Sequence, residues 1–247
     1  MQEPGVDGLV AAEVAAAMDD VAQVLAAHGE PLDLADRLVR HCRQLLGADA
    51  VGLVVDDGTG SLGLLACTSD EARSVELVQL TTQQGPCVEC FRTASPGASP
   101  DPEDMRRRWP DFARTAVAQG ISAVHTVPLT TPERTIGALN LFLHRPGLLS
   151  TAQADVVRAL ASFGAVGLSQ LEHVAQGRRV QAQLQEALAS RVVLEQAKGV
   201  LAERHRVHPD HAFDQLRKRA RSSRRPLREV AQEVLDGLAG VAPPQVG

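Results

Sequence analysis

Aromatic side chains are nearly missing from this 247-residue chain, which has five Phe, one Trp and no Tyr. That scarcity disfavours recognition of nucleotides by serial stacking on aromatic platforms. It also leaves Ala, Leu and Val to fill the cores. No stretch approaches 18 uninterrupted apolar residues, so no transmembrane helix is expected. The first residues, MQEPGVDGLV, lack a basic stretch followed by an apolar run, so no secretory signal is expected either. Four cysteines are too few for a disulfide framework. Together these absences predict a cytoplasmic protein with reduced thiols. There is no phosphate-cradling glycine loop of the Walker or dinucleotide type, and no nucleophile elbow with an ordered Ser, His and Asp. Nothing marks a reacting centre, and the expectation is that the chain is not an enzyme.

What is present is divided unevenly. Hydrophobic residues make up 44% and charged residues 22%, ordinary values for a chain able to bury a core. The net charge of −5 hides an asymmetry. Residues 178–236 hold 13 Lys and Arg against 8 Asp and Glu, and the remainder holds 12 against 22. An acidic body is thus joined to a basic module, and a basic module points to a polyanionic partner or to a solvated helical surface.

The hydrophobic period changes along the chain. Residues 8–28 and 32–46 carry apolar positions at helical spacing, separated by Gly29 and Pro31. AVGLVV (50–55) and SLGLLACTS (61–69) flank the turn cluster DDGTG and predict a hairpin. VELVQLT (75–81) reads as a strand or a short helix, and SPGASPDP (95–102) as a loop. MRRRWPDFARTAVAQG (105–120) predicts a helix broken near Pro110. SAVHTVPL (122–129) and TIGALNLFL (135–143) predict two central strands. Ser150 is a cap for a helix starting near Thr151. No Pro interrupts residues 151–206, so this helix is expected to run from the first half into the second. Two further helices are expected over 210–221 and 226–238, with Pro226 near the first helical position.

In the first half, Cys87 and Cys90 form a lone C-x-x-C, open to structural, redox and half-metal-site readings. His125 either faces a pocket or is a satisfied sheet histidine. Asn140 is polar inside an apolar strand, so it either bonds a neighbour or faces a cavity. The order of elements, with QGPCVECFRT, RWPDFA and IGALNLF leading into a long helix, resembles a GAF domain. That resemblance implies a sheet with helices on one face and a small-molecule pocket on the other. Cys87, Cys90, His125 and Asn140 are then candidate pocket residues, with the ligand unspecified and no metal expected.

In the second half, EQAKGVLAERHR (195–206) places Gly199 in mid-helix, at a cost of about 1 kcal/mol relative to Ala. Helical spacing puts Arg191, Glu195, Lys198, Ala202 and His205 on one face, with Gly199 at its border. Val193, Ala197, Val200 and Leu201 fall on another face, as core. Phe213, Leu216 and Ala220 form the expected buried side of the next helix. Six of the nine residues from Arg217 to Arg225 are basic. Close helix–helix packing is the competing reason for Ala197 and Gly199.

The A-K-G element of the first helix and the A-F-x-x-L-R element of the second resemble an ANTAR domain. The resemblance implies binding of RNA with two adjacent hairpins, and hence a homodimer, and an antitermination role. It implies RNA contacts from Arg191, Glu195, Ala197, Lys198 and Gly199, with phosphate contacts from Arg217, Arg221, Arg224 and Arg225. Splayed loop bases can approach a helix where side chains are short. A DNA-binding regulator with a small-molecule sensor is the alternative.

The fold expected is α+β: a GAF-like sheet-and-helix domain, then a long helix and an all-α three-helix bundle. The expected division is an N-terminal helix (1–30), a sensor domain (31–170), a helical linker (171–185), an RNA-binding domain (186–238) and a tail (239–247).

Overall fold

In the computed structural model, which describes residues 11–239, the apolar runs of the first half pair into one antiparallel sheet. Its strands are β1 (Ala50–Asp56), β2 (Leu62–Cys67), β3 (Gly97–Ser99), β4 (Ala123–Thr130) and β5 (Thr135–Leu143). Their order is β2-β1-β5-β4-β3, and every neighbouring pair is antiparallel. Leu53 pairs with Ala66 but Val54 with Leu64, so Leu65 is an extra residue, a bulge in β2.

The helices are α1 (Ala11–Ala26), α2 (Pro31–Leu46), α3 (Asp70–Thr82), α4 (Pro86–Thr93), α5 (Pro102–Arg108), α6 (Pro110–Ala118), α7 (Thr151–His205), α8 (Pro209–Ser223) and α9 (Leu227–Ala239). The chain divides into two units, one ending at Val174 and the other starting at Ala175. Helix α7 contributes to both.

In the first unit, side chains alternate across the sheet. Leu53, Val127, Leu139 and Leu141 face a core completed by Val21 of α1, Leu34 and Leu38 of α2 and Leu160 of α7. Ala50, Val124 and Phe142 face the other way, against Ala72, Met105 and Phe112 of α3, α5 and α6. Val54 and Ala138 meet Cys87, Val88 and Cys90 of α4 on that same side. Both faces are covered, which is why β1 and β5 read as near-continuous apolar runs. Each fully buried Leu contributes about 1.5–3 kcal/mol to this arrangement.

Helix α1 is part of this core rather than a separate segment, since Ala17, Val21 and Val24 are buried in it. Leu9 and Val10, the first apolar positions expected in that helix, and the tail over 240–247 lie outside the described residues. Residues 75–81 are helical, because Ser69 caps α3 by accepting from the Ala72 N–H at 3.2 Å. The segment expected as a loop contains β3, which pairs Ala98 with His125. The break at Pro110 separates α5 from α6. Helix α7 opens with a reciprocal cap: Ser150 Oγ accepts from the Gln153 N–H at 3.2 Å, and Gln153 Oε1 accepts from the Ser150 N–H at 3.0 Å.

In the second unit, the C-terminal part of α7 packs with α8 and α9. Ala197, Leu216, Ala220, Val230, Ala231 and Val234 form its core. Ala212 is also fully buried, whereas Phe213 is only half-buried. The buried stripe of α8 is therefore 212–216–220, one position earlier than expected at its start. Helix α8 extends to Ser223, two residues past its expected end, and ends at Arg224 in the left-handed conformation (φ 53°), so the basic run from Arg217 to Arg221 lies on helical surface.

Candidate functional site

The glycines of α7 fall into two groups. A Cβ at Gly164 would collide with Leu38, and one at Gly167 with Leu34, so these two admit α2 to close contact. A Cβ at Gly199 would meet nothing within 4 Å, and the same holds for Gly177. The reading that Gly199 serves packing inside the bundle is thus removed among the described residues. Ala197 behaves in the opposite way. It is fully buried against α8 and α9, so its small side chain is explained by the core and it presents no surface to a nucleotide. That corrects the expectation of an RNA contact at Ala197.

Taking Ala197 as the inward direction at about 100° per residue, Arg191, Glu195, Lys198 and Gly199 all fall on the outward half of α7. Arg191, Glu195 and Gly199 are exposed. Lys198 is half-buried and ion-paired with Glu195 one turn earlier, so its ammonium is held at the helix surface rather than free. Glu195 thereby orients a cation.

The cations of α8 separate into two sets. Asp214, Arg217, Lys218, Arg221 and Ser222 line an open basin on the side away from the buried stripe. Arg217 also lies over the Phe213 ring, 5.3 Å from its centroid, which explains why Phe213 remains at the surface. Arg225 is engaged elsewhere. Its guanidinium bonds Glu233 at 2.9 Å and Glu229 at 3.4 Å, and Arg219 bonds Glu233 at 2.7 Å. Arg225 is thus already neutralised from α9, unlike Arg217, Lys218, Arg221 and Arg224, for which no ion pair is found among the described residues. Lys218, which was not among the expected contact residues, belongs to the basin as well.

In the first unit, the four candidate pocket residues do not converge. Asn140 and Thr126 are paired across β5 and β4, and Thr126 Oγ donates to Asn140 Oδ1 at 2.6 Å. Asn140 Nδ2 donates to Glu76 Oε1 at 2.6 Å. Cys87 is buried beside them, and its backbone N–H donates to Gln79 Oε1 at 2.9 Å. His125 precedes Thr126 and so points to the opposite face of the sheet. There its Nε2 lies 3.2 Å from the Leu149 nitrogen and 3.4 Å from the Gly147 carbonyl oxygen, pinning the connection into α7, and burial holds its pKa below the ordinary value. His125 is thus a satisfied structural histidine, not a pocket residue. Cys87 and Cys90 are free thiols. Burial pushes Cys90 up to about 12 and Cys87 well above its usual range, so both are protonated at neutral pH and poorly reactive in this state.

The residues missed were Glu76 and Gln79, both fully buried. Every buried side-chain nitrogen and oxygen among the described residues has a hydrogen-bond partner. The buried polar groups on the sheet face bearing Asn140 thus satisfy one another, and beside them Cys90 lines a cleft with Pro86, Glu89 and Trp109.

The chain thus joins an antiparallel sheet domain with helices on both faces to a helical bundle that carries a basic surface. The GAF domain profile matches residues 30–169, and the ANTAR domain profile matches residues 182–235. The chain belongs to the GAF family and has the GAF–ANTAR architecture of a signal-responsive regulator. Its fold is similar to the GAF domain of an Acinetobacter phosphoenolpyruvate-protein phosphotransferase, at 15% identity and a TM-score of 0.52 over 64% of this chain and 93% of that one. It is similar to the same degree (15% identity, TM-score 0.52) to the phycoerythrobilin-bound GAF domain of a cyanobacterial phytochrome, over 66% of this chain and 97% of that one. At this identity the likeness shows the fold alone. No curated protein matches the chain. No helix among the described residues is long and apolar enough to cross a membrane.

Proposed function

We propose that the ANTAR half binds RNA carrying two adjacent hairpins and promotes transcription antitermination under control of the GAF half, acting in the cytoplasm without catalysis. The observation that carries this reading is Gly199: a helical glycine with open space above it, flanked on the outward face of α7 by Lys198 and Arg191. Unpaired loop bases can lie against such a surface, since no Cβ obstructs them. The Arg217–Lys218–Arg221 basin, with Arg224 beyond it, supplies positive charge for the flanking phosphates.

Two hairpins call for two bundles, and hence a homodimer. Val180, Leu184, Leu188 and Val192 support this, as an exposed apolar row at four-residue spacing on α7. Residues 176–189 are exposed on every side, and a lone helix of that kind gains little from its apolar positions until a partner covers them. A small molecule that binds one state of the sensor half better than another would shift the population of binding-competent dimers.

The test is binding of a two-hairpin RNA at fixed salt, with duplex DNA as competitor. Lys198→Ala and Arg191→Ala are each expected to weaken RNA binding by about tenfold, consistent with the loss of one charged contact. Unchanged affinity in both variants, or preference for the duplex DNA, rejects the reading.

A further inference from the structure

Glu76 projects from α3 into the space between α3, α4 and the sheet, and it is completely buried. Its Oε1 accepts from Asn140 Nδ2 at 2.6 Å, its Oε2 accepts from Gln79 Nε2 at 2.9 Å, and the Cys87 thiol is a third partner. Opposite it β1 presents Gly52, where a Cβ would collide with the carboxyl. The elements packed around α3 bring no charge to it. β4 and β5 offer Thr126 and Asn140, and the titratable partner of the carboxyl is the Cys87 thiol on α4. A carboxylate buried without a cation is unfavourable, and burial raises the Glu76 pKa to about 7 against the opposing pull of its three hydrogen bonds.

Gln79 links this carboxyl to α4. Its Nε2 holds Glu76, and its Oε1 holds the Cys87 N–H at 2.9 Å. Helix α4 begins at Gly85, which has no side chain to cap it, so Gln79 takes that part from a neighbouring helix. Gly85 has φ 144°, and a Cβ there would collide with Gln79. Whatever draws Glu76 towards water therefore disturbs the first turn of α4.

We propose that Glu76 is a proton-operated latch on α4: the protonated acid keeps α4 seated on the sheet, and loss of its proton loosens it. The protonated carboxyl can donate to Cys87 Sγ, a weak acceptor, as the thiol hydrogen rotates away. The ionised form gains by hydration, which the closed interior denies it. The sign follows from linkage. The folded domain holds this proton more tightly than the unfolded chain, so stability of the closed form falls as pH rises from the unfolded value of 4.5 to about 7 and is level beyond it.

The experiment is amide hydrogen exchange on the full chain at pH 5.5 and 8.5, corrected for intrinsic rates. Peptides covering residues 86–93 are expected to exchange about tenfold faster at the higher pH in the wild type. Glu76→Gln is expected to show the same exchange at both. Equal protection at both pH values in the wild type, or a pH dependence that survives in Glu76→Gln, overturns the proposal. Should Glu76→Gln not fold, carbon-13 NMR titration of the wild-type glutamates decides: one midpoint near 7 supports the latch, and none outside the ordinary range refutes it. The measurement concerns α4 alone, so failure to bind RNA leaves it standing, and its failure leaves the RNA reading standing.

Discussion

Ala197 and Gly199 stand two residues apart on α7 and face opposite ways, Ala197 sealed in the bundle core and Gly199 opening onto empty space. The two are separated by about 200° around the helix, so small size at one has nothing to do with small size at the other. This separation gives opposite expectations for the two sites. Gly199→Ala should raise bundle stability by about 0.5–1 kcal/mol, because it removes the helical cost of Gly without a clash. Ala197→Leu should lower it by about 1–3 kcal/mol through overpacking. Chemical denaturation of both variants checks this. Gly199→Leu should keep the stability and lose RNA affinity, since the leucine would occupy the place assigned to a base.

The cations of α8 should differ in what they contribute. Arg217→Ala and Arg221→Ala should each reduce the salt dependence of RNA binding by about one unit of slope. Arg225→Ala should change it less, because Glu229 and Glu233 already engage that guanidinium. Glu233→Gln frees Arg219, leaves Arg225 only its longer contact to Glu229, and should strengthen binding at low salt. Titrations at several salt concentrations separate these outcomes, and equal effects at Arg217 and Arg225 would contradict the division.

The apolar row of α7 should hold two chains together. Leu184→Glu combined with Leu188→Glu is expected to give monomers in sedimentation experiments. Affinity for a two-hairpin RNA should then fall to that for a single hairpin, a loss on the order of a hundredfold or more where two modules act together. A variant that stays dimeric would place the contact elsewhere.

Much of the architecture was legible because it rests on strong local signals. The paired runs over 122–143, the break at Pro110 and the Ser150 cap all appear where the residues indicate. Other features depend on what meets in space. β3 is hidden by its composition, since Gly97–Ser99 reads as loop until Val124–Thr126 comes alongside. Glu76 looks like an ordinary solvent-facing acid of an amphipathic helix, and only the arrival of Asn140 and Cys87 reveals it as buried. The Arg225 pairing needed α9 to fold back beside α8, a relation the basic run itself does not encode. Phe213 was misplaced for a similar reason. Its ring looked like core, but Arg217 covers it from outside and Ala212 takes the inner position.

The two borders of the sheet bear on how this protein behaves when concentrated. One border, β3, offers only three residues, and the other, β2, carries the extra Leu65 that breaks its regular spacing. Neither makes a good template for adding a strand from another molecule, since a brief or kinked margin cannot sustain a long ladder. Crowding should consequently favour association helix against helix, since among the described residues neither sheet border gives strand addition a long, regular starting point.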